Sequence, residues 1–250
     1  MPRRPLIAGN WKMNKTVKEA LALVSDLKRL LTQVRDRDIV VIPPYTALYP
    51  VVQRLEESNI QLGAQELFAK DWGAYTGAVS APMLAEIGCT HVLVAHSERR
   101  QYFAESNASA NERVKAALKH NLVPILCIGE TLEERDAQRT MDVIATQLDG
   151  GIEGLGFSEL GRLVVAYEPV WAIGTGKVAS SAQAQEVHHF IRERIRQRDT
   201  TVAADMRLLY GGSVKPDNAA ELFAQPDIDG GLVGGASLNA TDFAAIVKAK

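Results

Sequence analysis

The chain has 250 residues, 46% of them hydrophobic and 23% charged, with a formal net charge of -2. This composition describes a globular protein with a full-sized core, and it lacks the strong basic excess of a nucleic-acid binder and the long apolar run of a membrane span. Two cysteines, Cys89 and Cys127, are too few for a disulfide framework and lie beside apolar runs, so buried free thiols in a reducing, cytoplasmic setting are expected.

The basic start, Met1-Pro2-Arg3-Arg4-Pro5, leads only into the short stretch Leu6-Ile7-Ala8 before polar Asn10 and Lys12, which does not read as a secretory leader. From there, runs rich in Val, Ile and Leu alternate with amphipathic segments. Leu6 to Asn10 precedes a helix pattern of Val17, Leu21, Val24, Leu27 and Leu31 at spacings of three and four. Further runs follow at Ile39 to Ile42, Ile60 to Ala64, His91 to Ala95, Val123 to Ile128 and Leu163 to Tyr167. Behind the last, a capping box of Ser180 and Gln183 opens a helix whose apolar positions are Ala184, Val187, Ile191 and Ile195. Arg207 to Tyr210 and Gly230 to Val233 complete the series. Each run is near-continuously apolar, as a strand buried on both faces must be. Eight such units without a Ser/Gly/Pro-rich linker predict an α/β chain, residues 1–250, forming one closed parallel (β/α)8 barrel domain; an open doubly wound sheet is the alternative.

In a barrel, the loops that carry chemistry gather at the carboxyl ends of the strands. Those ends read Asn10-Trp11-Lys12, His96-Ser97-Glu98, Glu168, Tyr210-Gly211-Gly212-Ser213 and Gly234-Gly235, whereas the opposite ends are bland. Of 19 glycines, 13 fall from Gly150 onward, with pairs after strands seven and eight. Paired glycines let backbone N–H groups approach an anion, and a short helix opening at Ala236-Ser237 would aim its positive end there, so a phosphate pocket is expected.

Other motifs fail on spacing. Gly174-Thr175-Gly176-Lys177 ends like a P-loop, but Trp171 stands where the first glycine belongs and Val178 follows the lysine. Gly174, Gly176 and Ala179 satisfy GxGxxA, yet six residues separate Tyr167 from the first glycine, too many for a dinucleotide turn. His91 and His96 would face opposite sides of one strand, and His188 and His189 point about 100° apart on a helix, so no metal site is expected.

What remains is a carboxylate, a histidine, a lysine, an asparagine and a phosphate cradle at one mouth. Moving a proton between adjacent carbons of a hydroxy-ketone needs a base, a donor serving two oxygens, and a positive charge for the enediolate; Glu168, His96 and Lys12 fit in that order. A Schiff-base aldolase acting through Lys12, or a phosphate-ligand binding protein without turnover, stays open on these residues alone.

GNWKMN at 9–14, HSERR at 96–100, CIGE at 127–130, AYEPVWAIGTGK at 166–177, YGGS at 210–213 and LVGGASL at 232–238 occur in that order. Over its whole length the chain resembles the triosephosphate isomerase family. The resemblance implies a TIM barrel, no cofactor and no metal, and the interconversion of dihydroxyacetone phosphate and glyceraldehyde 3-phosphate. It further implies Glu168 as base, a neutral His96 as electrophile, and Lys12 and Asn10 in contact with substrate. Backbone N–H groups of Gly174, Ser213, Gly234 and Gly235 would hold the phosphate, with Ser97 and Glu98 supporting the catalytic groups. Pro169 to Lys177 would be a lid whose Trp171 and Ile173 cover the site, hinged at Pro169-Val170-Trp171 and Lys177-Val178-Ala179.

The family is typically a homodimer through the loop after strand three. That loop is Gln65 to Ser80 in this chain, with Gly73-Ala74-Tyr75-Thr76-Gly77 at its tip. Two positions depart from the family pattern. Ala78 replaces a usual Glu, removing a carboxylate expected to face Arg99 and so weakening the dimer. Ala95 replaces a usual Gly, adding a methyl beside His96 that is expected to disturb it.

Overall fold

The computed structural model describes residues 3–173 and 179–249. Eight strands form a closed barrel in sequential order: β1 Leu6–Asn10, β2 Asp38–Ile42, β3 Ile60–Ala64, β4 His91–Val94, β5 Val123–Ile128, β6 Val164–Tyr167, β7 Leu208–Tyr210 and β8 Gly230–Val233. Every pairing is parallel, and β1 closes the ring with Leu6 opposite Gly230. The expected runs match these strands within a residue at each end.

Alternation within each strand divides the core in two. Leu6, Ala8, Val40, Leu93, Ile125 and Leu209 form one buried cluster, while Ile7, Ile39, Val41, Val92 and Val165 belong to the larger one shared with the helices. Fully burying one such side chain contributes about 1.5–3 kcal/mol, which is why runs apolar on both faces are required. The first helix, Val17–Leu31, is capped by Thr16 and Glu19 and buries Ala20, Leu23, Val24, Leu27 and Leu31. Val17 is exposed and Leu21 only half-buried, so the stripe is rotated from the expected one. At about 100° per residue those two positions lie about 60–100° from its centre. The Ser180–Gln183 box caps the helix Ser181–Arg196 as its residues predict.

The amino-terminal end of the barrel is not bland. Asp38 accepts from Arg4 at 2.7 Å and Arg207 at 2.6 Å, while Arg192 donates to Asp227 and to Asp229. His91 opens β4 nearby, 4% exposed, with Nε2 unpartnered and Nδ1 2.8 Å from Thr90 Oγ1. Burial, aided by the Arg207 charge, pushes its pKa down to about 4 against the pull of Asp38. A group neutral when folded but protonated when unfolded stabilises the fold fully above its unfolded pKa. That stability is lost as pH falls from about 6.5 toward 4, by about 3 kcal/mol in all. Urea midpoints of the wild type should therefore fall over that interval, and His91→Gln should show a smaller fall; parallel pH curves would count against the account.

Candidate active site

At the carboxyl end of β1, Lys12 adopts a left-handed backbone with φ of 52°. For a residue with a Cβ this costs roughly 1–2 kcal/mol, and it persists only where surroundings enforce it. The enforcement is visible on both sides of the residue. Lys12 N–H donates to Asn10 Oδ1 at 3.0 Å, and Gln65 Nε2 donates to Lys12 O at 2.7 Å. Lys12 Nζ reaches across to Glu98 Oε1 at 2.6 Å. Asn10 is buried, and its side chain fixes the lysine backbone.

Beyond β4, His96 caps the helix Ser97–Phe103, and its Nδ1 accepts from Glu98 N–H at 3.2 Å. A ring nitrogen that accepts carries no proton, so the proton of the neutral ring resides on Nε2. That Nε2 lies 3.0 Å from Glu168 Oε1, and Ser97 N–H donates to Glu168 Oε2 at 3.0 Å. Both side chains are buried, His96 5% and Glu168 2% exposed. Burial favours the uncharged form of each, but their mutual attraction outweighs it. The His96 pKa is raised by Glu168 and by nearby Glu98, and the Glu168 carboxyl is lowered by His96, the Ser97 N–H and Lys12.

Two glycines make room for Glu168, Gly129 for its backbone and Gly211 for its side chain. A Cβ on Gly129 would stand 1.7 Å from Glu168 O, and one on Gly211 would stand 2.7 Å from Glu168 Cγ. Gly211 N–H also donates to Tyr167 O at 2.7 Å, extending the barrel ladder. The glycine pair after β7 thus serves Glu168 in part, and Gly211 has no free donor for an anion. A cavity of about 830 Å³ opens between these elements, lined by Asn10, Lys12, His96, Glu168, Ser213, Gly234 and Gly235. The turn Gly235–Leu238 follows β8, and buried Ser237 Oγ donates to Gly234 O at 2.6 Å. The cavity thus presents an acid–base pair, the lysines Lys12 and Lys215 and a glycine-rich rim.

Residues 170–172 form a single 3-10 turn after Glu168. Trp171 is not spread over the cavity, as expected of a covering residue. Its Nε1 donates to Glu130 Oε1 at 2.9 Å and its ring lies under the Arg135 guanidinium at 4.8 Å. The same carboxylate oxygen accepts from Tyr167 Oη and Arg135, and Glu130 is fully buried. Ile173 does line the cavity. Gly174 and the second hinge, except Ala179, lie outside the described residues. Sequence reasoning assigned no contact to the side chains of Glu130, Gln65 or Ser237, nor a close approach to Gly129. A signal existed for Glu130, a carboxylate just past a strand end like Glu168; Gln65 and Ser237 act through contacts that no local pattern announces.

The loop Gln65 to Ser80 projects from β3 with residues 72–77 exposed, Thr76 among them. It is tied at its base by Phe68 N–H to Val79 O at 2.8 Å, and Phe68 and Tyr75 rings pack 4.5 Å apart. Arg99 is supplied within the chain. It donates to Glu105 at 2.5 Å, lies 3.9 Å from Glu66 and covers the Phe103 ring, so Ala78 does not leave it without a carboxylate. Ala95 sits at φ of 56°, where Gly would be easier. The penalty of roughly 1 kcal/mol is offset by a methyl group that is 1% exposed, worth a similar amount. His96 keeps its contacts to Glu168 and Glu98 N–H, so the added methyl does not dislodge it.

A family model described as triosephosphate isomerase matches residues 5–250. The triosephosphate isomerase of Moorella thermoacetica is 55% identical over 245 residues, covering 98% of each chain. That of Syntrophotalea carbinolica is 55% identical over 249 residues and 99% of each chain. Among solved structures, the triosephosphate isomerase from Bartonella henselae aligns with a TM-score of 0.89 at 42% identity, over 97% of each chain.

Proposed function

The chain belongs to the triosephosphate isomerase family, and from that premise we propose which of its residues carry the reaction. The reaction is the reversible interconversion of dihydroxyacetone phosphate and D-glyceraldehyde 3-phosphate through an enediolate, in glycolysis and gluconeogenesis. Its central requirement is a base beside a carbonyl polariser in a site that excludes water. The observation that carries the assignment is the buried 3.0 Å contact of Glu168 Oε1 with His96 Nε2 at the cavity that Lys12 borders.

In the resting geometry both carboxylate oxygens of Glu168 are held, by Ser97 N–H and by His96. Substrate must draw the carboxylate away, which frees the Nε2–H to donate to the substrate oxygens while Glu168 takes the carbon-bound proton. The Glu98 N–H bond to Nδ1 then favours the neutral ring, because the carboxylate that had raised its pKa has moved. Lys12 stabilises the negative charge that develops. Asn10 contacts substrate and Ser213, Gly234, Gly235 and Gly174 bind the phosphate, with Ser97 and Glu98 positioning the reacting groups. Deuterium from heavy water should enter the product carbon during turnover, since the proton passes through an exchangeable carboxyl; label entering at the wild-type rate with Glu168→Gln would rule out Glu168 as the carrier. A Schiff base on Lys12 would instead be trapped by borohydride.

The protein is further proposed to be a cytoplasmic homodimer built on the Gln65 to Ser80 loop. Met13, Trp72, Tyr75, Tyr102 and Phe103 are exposed on segments that follow β1, β3 and β4, more large apolar surface than a lone chain needs. Sedimentation should give a dimer at micromolar concentration, and Thr76→Arg at the loop tip should shift it toward monomer with loss of activity. A fully active wild-type monomer would refute the assembly.

A further inference from the structure

Gln147 projects from the helix Thr140–Gly151, which lies between β5 and β6 and carries none of the groups assigned above. Both ends of its amide engage one residue. Oε1 accepts from Gly129 N–H at 2.8 Å, and Nε2 donates to Gly129 O at 3.0 Å. Gly129 is the residue pressed against the backbone of Glu168, where a Cβ would reach to 1.7 Å from Glu168 O. Its neighbours bind the same segment, since Glu168 N–H donates to Ile128 O at 2.8 Å and Val170 N–H to Glu130 O at 3.0 Å. Residues 128–130 are therefore the rail along which the catalytic segment lies, and Gln147 is the clamp on the middle of the rail.

We propose that Gln147 is a positioning residue for the isomerisation, acting through Gly129 to set the backbone from which Glu168 reaches the substrate. The inference rests on the assignment of Glu168 as base. The amide is not simply filling space. Gln147 and Glu168 both line a second cavity, of about 400 Å³. Water can enter there and solvate the Gly129 peptide if the amide is removed, so loss of the clamp loosens the rail without collapsing the core. A base displaced by a fraction of an ångström loses rate far more than affinity, because misalignment is felt at the transition state.

Gln147→Met removes both hydrogen bonds. Gln147→Glu makes them conditional on pH. A protonated carboxyl can accept from Gly129 N–H and donate to Gly129 O, whereas a carboxylate has no donor and repels that carbonyl. Of the groups lining the same cavity, Glu134 and Glu168 would raise the pKa of the new carboxyl and Arg100 would lower it, while the buried Cys127 thiol stays protonated.

The test compares kcat and KM for both variants, with circular dichroism to confirm the fold and Glu168→Gln as a reference. The expected result is a fall in kcat of roughly 10–100-fold near pH 8 with KM within about two-fold. The ratio of Gln147→Glu to wild type should then climb toward one as pH is lowered to about 5, with Gln147→Met unchanged relative to wild type. Unaltered kcat in both variants, a ratio independent of pH, or a loss that tracks loss of fold would each overturn the proposal. If Glu168→Gln itself kept its activity, the assignment of the base would fail first, so the two failures are distinguishable.

Discussion

Glu168→Gln is expected to lower turnover by about two to four orders of magnitude, the cost of removing a general base from a proton transfer at carbon. The amide is nearly isosteric; its oxygen can still accept from Ser97 N–H, while its NH2 faces the His96 Nε2–H and that one contact is lost. Affinity for an unreactive substrate analogue should change far less than kcat, because the proposed base would act in the transition state. The pH profile adds a second reading. Burial alone would raise the Glu168 pKa, but His96, the Ser97 N–H and Lys12 reverse the direction and leave it below the usual carboxylate range. In the wild type, kcat/KM corrected for the substrate's own phosphate titration should be level in alkali and fall as pH drops through the titration of the coupled pair, whose histidine is raised and whose carboxyl is lowered. A Glu168→Gln enzyme retaining a tenth of the activity would remove Glu168 from the role.

Lys12→Met should cost both rate and affinity. Lys12 Nζ is held by Glu98 at 2.6 Å on the wall that also carries Glu168 and His96, whereas Lys215, which lines the cavity too, is exposed; the substrate brings a phosphate as well as a developing oxyanion. Removing one preorganised donor of this kind costs about 10²–10³ in kcat, and the lost attraction for phosphate should raise KM as well. Methionine keeps the length of the stem, and the Asn10 and Gln65 bonds to the Lys12 backbone do not depend on the side chain. Stability should therefore change little, which separates the electrostatic effect from unfolding. Unchanged KM and binding of a phosphorylated analogue would show that Lys12 is a surface charge engaged only with Glu98.

The departures at Ala78 and Ala95 show how a substitution meets partners that sequence alone does not display. In the fold, Arg99 faces Glu105 and Glu66 within the chain, and the cost of a left-handed alanine is offset by the burial of its methyl. Both compensations come from residues whose proximity no local pattern reveals.

The strands and the helix caps were determined by sequence, because both depend on contacts within a few residues. A run apolar on both faces, such as Val164–Tyr167, has no other stable place than the interior of a covered sheet, and Ser180 with Gln183 closes its own box. Glu168, His96 and Lys12 stand out for a related reason, as polar groups at the ends of greasy strands, and the fold brings them to one cavity. The tertiary structure alone decided how those groups are held. The left-handed Lys12 depends on Gln65 from 53 positions away, Glu168 on Gly211 from β7 and on Gly129, and Trp171 on Glu130 from 41 positions away. Such pairings arise when barrel closure brings the ends of distant strands together. Sequence spacing encodes which face a residue occupies, but the partner it meets is set by the curvature of the closed sheet.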